Sequence, residues 1–112
     1  MWIFLPGGSF VSVVQKEADV AADRLTIRSR TSTDLVELRK FMPTMGEIER
    51  GSGSDYAYRV VAPRAEFAAA LARMAEAIRY TNYKDNVSAT KGSGRARVLH
   101  SIWTLLLKLQ RP

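Results

Sequence analysis

His100 is the only histidine in the chain, and there is no cysteine. A histidine becomes a general base when the fold brings a nucleophile or an orienting carboxylate to it. His100 sits between Leu99 and Ser101 with no acid close by in sequence. Glu47 and Glu49 would share one face of a strand, the spacing of a carboxylate pair, but a solvated edge strand accounts for them better. The remaining acids are scattered without a metal-ligating interval, and cysteine-based metal and thiolate chemistry is excluded. The sequence therefore predicts no catalytic residue, no metal and no cofactor. A small enzyme using His100 stands third among the functional readings.

Two patches suit binding better. Lys91-Gly92-Ser93-Gly94-Arg95-Ala96-Arg97 leads into a predicted helix, where free backbone amides and Lys91, Arg95 and Arg97 could meet an anion. A solvated linker with cationic flanks is the alternative. Tyr80-Thr81-Asn82-Tyr83-Lys84-Asp85-Asn86 combines flat rings with hydrogen-bonding groups, as interfaces do. The alternative has Tyr80 and Tyr83 packed on the core and Asn82 capping a turn. Pro6-Gly7-Gly8-Ser9 and Gly51-Ser52-Gly53-Ser54 join predicted strands and read as turns, because a phosphate loop needs a helix after it.

Charge separates these patches from the rest. The 112 residues carry a net charge of +6. From Met1 to Ile78 acids and bases balance; from Arg79 onward Arg79, Lys84, Lys91, Arg95, Arg97, Lys108 and Arg111 face Asp85 alone. A neutral body with a cationic end suits an anionic partner: nucleic acid, a complex that holds it, or an acidic protein surface.

The elements that must carry these residues follow from periodicity. Trp2–Leu5 and Phe10–Gln15 read as strands, and Lys16–Asp23 as a loop or one helical turn. Arg24–Arg30 alternates, with Leu25 and Ile27 on one side and Arg28 and Arg30 on the other. Thr31-Ser32-Thr33-Asp34 opens a helix that Pro43 stops. Met45–Arg50 is a weak peripheral strand. Asp55–Ala62 is another, with Tyr56, Tyr58 and Val60 inward and Arg59 outward. Pro63 opens a helix to about Tyr80 with a buried stripe of Phe67, Leu71, Met74 and Ile78. Residues 81–94 read as a polar loop, and Arg95–Gln110 as the last helix.

This order predicts one α+β domain over 1–112, with a charge-balanced body (1–78) and a basic loop and helix (79–112). A mostly antiparallel sheet of four to five strands would have helices on one face. Leu25–Tyr80 supplies most of a split βαβ unit of the ferredoxin-like kind. Arg28, Arg30 and Arg59 then lie on the open face. RNA-binding domains of that shape stack bases on exposed aromatics in a defined motif, which this sequence lacks. The last helix is apolar around more than half its girth. Either other elements sandwich it, or Ile102, Trp103, Leu106 and Leu107 anchor a homodimer. The longest apolar run is too short to span a bilayer and the first residues lack a basic leader, so a soluble cytoplasmic protein is expected, without membrane partners.

Met1-Trp2-Ile3-Phe4, Phe10-Val11-Ser12-Val13-Val14, Asp55-Tyr56-Ala57-Tyr58-Arg59, Tyr80-Thr81-Asn82-Tyr83-Lys84-Asp85 and Trp103 with Leu109-Gln110 resemble pieces of short uncharacterised bacterial and phage proteins that begin Met-Trp-x-Phe. The resemblance implies an accessory or counter-defence role and transfers no functional residue. In style, not in motif, the chain is similar to anti-CRISPR inhibitors. The leading expectation is a non-catalytic phage or mobile-element binding protein. It would dock on a nucleic-acid-handling protein or ribonucleoprotein complex and block it, through Arg79, Tyr80, Tyr83, Lys84, Lys91, Arg95 and Arg97. A direct DNA- or RNA-binding domain is the runner-up.

Overall fold

The computed structural model describes residues 1–51 and 55–111. The turn read at Ser52-Gly53-Ser54 lies outside them. Two compact units are present: Met1–Leu5 with Ser9–Ile78, and Pro6–Gly8 with Arg79–Pro112. The division falls where the charge balance changes, so the first unit is neutral and the second carries the whole net charge of +6.

The first unit is the α+β body. Among the described residues five strands form one antiparallel sheet: β1 (Trp2–Phe4), β2 (Phe10–Val14), β3 (Arg24–Ser29), β4 (Glu49–Arg50) and β5 (Tyr58–Pro63). Their spatial order is β1-β2-β3-β5-β4. β5 therefore separates β3 from β4, the arrangement of a split βαβ unit, and β2 flanks β3 on its other side.

Alternation decides what each face holds. Val13 opposes Ile27, and Ile27 opposes Val60, while Leu25 opposes Ala62. These residues are buried with Leu35 and Leu38 of α1 (Ser32–Arg39) and Phe67, Ala70 and Met74 of α2 (Arg64–Glu76). One face of the sheet is thus covered by both helices. α1 starts where the Thr31 hydroxyl accepts a hydrogen bond from the Asp34 amide, 3.3 Å away.

Four expectations need correction here. The peripheral strand shrinks to Glu49–Arg50, because residues 43–48 run as turns and irregular chain after Pro43. β5 begins at Tyr58, after a bend, so alternation does not extend back to Tyr56. Tyr56 is buried, but on the open side between Arg28 and Arg30, whose guanidinium carbons lie 4.6 and 4.4 Å from its ring centroid. α2 begins at Arg64, with Pro63 as its N-cap, and ends at Glu76, which leaves Ile78 beyond the helix and exposed.

At one margin of the sheet a short 3-10 turn, Glu17–Asp19, buries a carboxylate. Asp19 Oδ2 accepts from Thr26 Oγ1 at 2.6 Å and from the Lys16 amide at 3.0 Å. These bonds, the Thr26 hydroxyl first, hold its carboxyl below the ordinary aspartate range against the opposing effect of burial. A lowered folded-state pKa stabilises the fold above the unfolded value of about 3.9 and is lost as pH falls through the folded value. Asp19→Asn should therefore cost about 1–3 kcal/mol near neutral pH. Urea titrations at several pH values should show the gap from the parent constant above about pH 5 and closing below about pH 4.

The second unit is a helix pair. α3 (Tyr83–Lys91) and α4 (Ser93–Leu106) are separated by Gly92 alone, and a 3-10 turn, Leu107–Leu109, follows. The segment 81–94 is thus mostly helix, not loop. Asn82 caps α3 by accepting from the Asp85 amide at 3.0 Å, so Asn82-Tyr83-Lys84-Asp85 is a helix start. Val87 is the buried residue of α3 and Leu99 that of α4. The β1–β2 turn residues belong to this unit: Gly7 N donates to Asn86 Oδ1 at 2.7 Å, and Arg95 Nη1 donates to Gly8 O at 2.9 Å.

Candidate functional site

In the helix pair, Lys84 at the start of α3 reaches the second half of α4. Its Nζ lies 3.2 Å from His100 Nδ1 and 4.6 Å from the Trp103 ring centroid. The His100 and Trp103 rings stack at 5.6 Å. The group beside His100 is therefore a cation. Among the described residues no cluster of three or more His, Cys, Asp or Glu side chains is placed to hold a metal.

The expected basic patch is brought into one unit, but its members do different work. Arg79 and Arg97 are exposed. Lys84 is half-buried against Trp103 and His100. Arg95 is half-buried and holds the Gly8 carbonyl, and Lys91 lies in the last turn of α3. Tyr80 and Tyr83 are half-buried and pack on each other with centroids 5.7 Å apart. The anion cradle read at Lys91–Arg97 does not form as a loop, because α3 continues through Lys91 and α4 starts at Ser93.

α4 is not sandwiched. Leu99 is its only buried residue among those described; Ile102 and Leu107 are half-buried, and Trp103 and Leu106 are exposed. Val98, Leu105 and Leu109 extend the apolar surface, with Leu105 at 59% and Leu109 at 78% exposure. Val98, Ile102, Leu105 and Leu109 recur at helical spacing and form one stripe. Arg79, Arg97 and Lys108 of the same unit are exposed as well.

The open face of the sheet holds a second constellation. Trp2, Ser12, Arg28, Arg59 and Glu49 oppose one another in turn across all five strands. In the adjacent row Phe4 opposes Phe10. Phe10 packs on Phe4 at 4.9 Å and on Trp2 at 6.0 Å, with the Trp2 and Phe10 planes at 86°. Trp2 is 73% exposed. Arg28 Nη2 donates to Ser12 Oγ at 2.9 Å, and Arg30 donates to the Asp55 carbonyl. Among the described residues the Nε groups of Arg28 and Arg59 have no hydrogen-bond partner. Sequence reasoning placed Arg28, Arg30 and Arg59 on this face but missed Trp2, Phe4 and Phe10. The signal was available: period-two spacing within Trp2–Phe4, and from Phe10 to Ser12, puts these rings on the side of Ser12.

No protein-family model, curated protein or solved structure matches the chain. Among the described residues no helix is long and apolar enough to cross a membrane.

Proposed function

We propose that the chain is a non-catalytic binding protein, of the phage or mobile-element type, whose helix pair docks on a nucleic-acid-handling complex and blocks it by occlusion. The observation that carries this reading is the uncovered apolar stripe of α4 in the unit that holds all the surplus positive charge. Apolar side chains supply affinity by leaving water. The surrounding bases supply steering toward an anionic surface and select against cationic ones. An inhibitor that works by coverage needs both and needs no reacting group.

The test is capture from host lysate on immobilised protein, with and without nuclease. A protein complex should be retained after nuclease treatment and should fall at least tenfold when Leu105→Glu and Leu109→Glu are combined, a loss of about 1.4 kcal/mol or more. Both positions are exposed, so the double variant should keep the parent's stability. Retention that disappears with nuclease, or that ignores both substitutions, defeats the proposal. Self-association through α4 would appear as a concentration-dependent dimer abolished by the same pair, and would also defeat it.

A further inference from the structure

We propose that the open face of the sheet binds single-stranded nucleic acid without distinguishing ribose from deoxyribose: Trp2, Phe4 and Phe10 stack bases while Arg28, Arg30 and Arg59 neutralise phosphates. Its residues all belong to the first unit, and the proposal does not rest on the docking reading.

Single-strand sites combine rings that accept any base with cations that follow the backbone. Both are present on one face. Trp2 meets Phe10 edge to face at 86° and is 73% exposed, so it contacts Phe10 while most of the residue faces solvent. Arg28 lies two strands from Trp2 in the same row, about 10 Å at ordinary strand spacing. A base on the indole and a neighbouring phosphate can span that interval. Arg59 is next in the row, and Arg30, like Arg28, lies over the Tyr56 ring. Stacking on Tyr56 holds these two guanidiniums in place before any ligand arrives, which lowers the ordering cost of binding.

Charge complementarity selects the occupant. Glu49 is the one acid in the row, and Asp19, at the sheet margin, is buried and bonded to Thr26. A duplex keeps its bases stacked on each other and offers none to Trp2, so the occupant is a single strand. Ser12 and Thr26, the residues of this face that carry hydroxyls within the paired strands, are buried, so they do not reach a ribose 2′-OH. Sugar identity therefore goes unread.

Gly51 provides an independent handle. A Cβ there would lie 2.1 Å from Arg59 Nη2, because the guanidinium crosses directly over this glycine. Gly51→Ala should displace a flexible side-chain end with little cost in stability, while moving Arg59 off the row.

The experiment uses the full chain carrying Trp103→Phe, which leaves Trp2 as the only tryptophan. Titration with an oligothymidylate and an oligouridylate of ~15 nucleotides should quench Trp2, with affinities for the two agreeing within about threefold. Log affinity against log salt should have a slope near −2, from three phosphates at about 0.7 each, falling by about 0.7 in Arg28→Gln and in Gly51→Ala. With labelled oligonucleotide and anisotropy, Trp2→Ala should weaken binding about 5- to 150-fold. Arg79→Gln combined with Arg97→Gln and Lys108→Gln should leave the Trp2 quenching intact, which separates this face from the basic helix pair. Absence of quenching, equal quenching by a blunt duplex, a tenfold preference for one sugar, or binding indifferent to Trp2→Ala overturns the proposal.

Discussion

Ile27→Ala should lower the unfolding free energy by about 2–5 kcal/mol, toward the upper end of that range. Ile27 has no exposed surface. Its strand is central, and it opposes Val13 on one side and Val60 on the other. The same cluster takes in Leu35 and Leu38 from α1 and Phe67 from α2, so the deleted methyl groups leave a void with walls on every side. A walled site cannot collapse easily, and the cavity cost adds to the lost transfer energy. Against a total of about 5–15 kcal/mol for an ordinary domain, this is a large share. Urea unfolding followed by circular dichroism should show a lower midpoint with an unchanged slope. Val20→Ala, at a residue 61% exposed, should stay within about 0.5 kcal/mol of the parent. A loss below about 1 kcal/mol at Ile27 would mean that this cluster is not the core.

Gly8→Ala should be nearly as costly, about 2–5 kcal/mol, from backbone strain and overpacking together. Gly8 has φ of +100°, where a Cβ meets its own backbone. The added Cβ would also lie 2.7 and 2.9 Å from the two γ-carbons of Val87. Val87 is fully buried in α3 and, being β-branched, has essentially one helical rotamer, so it cannot swing aside. Either α3 or the Pro6–Gly8 turn must move, which strains the Gly7–Asn86 and Arg95–Gly8 bonds as well. Amide exchange should show lost protection around Val87 and Leu99 before the sheet is affected. Val87→Ala in the Gly8→Ala background should recover part of the loss, a favourable coupling of about 1–3 kcal/mol in the double-mutant cycle. Additive effects would show that the steric contact is not the cause.

Much of the first unit was legible in the residues. The alternation of Arg24–Arg30 put Leu25 and Ile27 inward and Arg28 outward, as the structure has them. The capping cluster Thr31-Ser32-Thr33-Asp34, and the Phe67–Met74 stripe, marked α1 and α2. These signals are local: a cap or a period is set by neighbours within a turn or two. α3 went unread because Val87 is its only buried residue, too little for a periodic stripe. Its one signal was Asn82 three residues before Asp85. Ile78 failed in the other direction, since spacing extends a stripe past the point where the helix has already ended.

By itself the sequence determined an α+β chain with a neutral body and a cationic end, because composition and period survive whatever the tertiary arrangement does. It also delivered the outward arginines. Tertiary structure alone decided three things. It joined Pro6–Gly8 to the helix pair, left the apolar stripe of α4 uncovered, and aligned Trp2 with Arg28 and Arg59 across three strand pairings. The physical reason is common to all three. Periodicity says which side of an element is apolar or charged, whereas register and burial depend on partners tens of residues away.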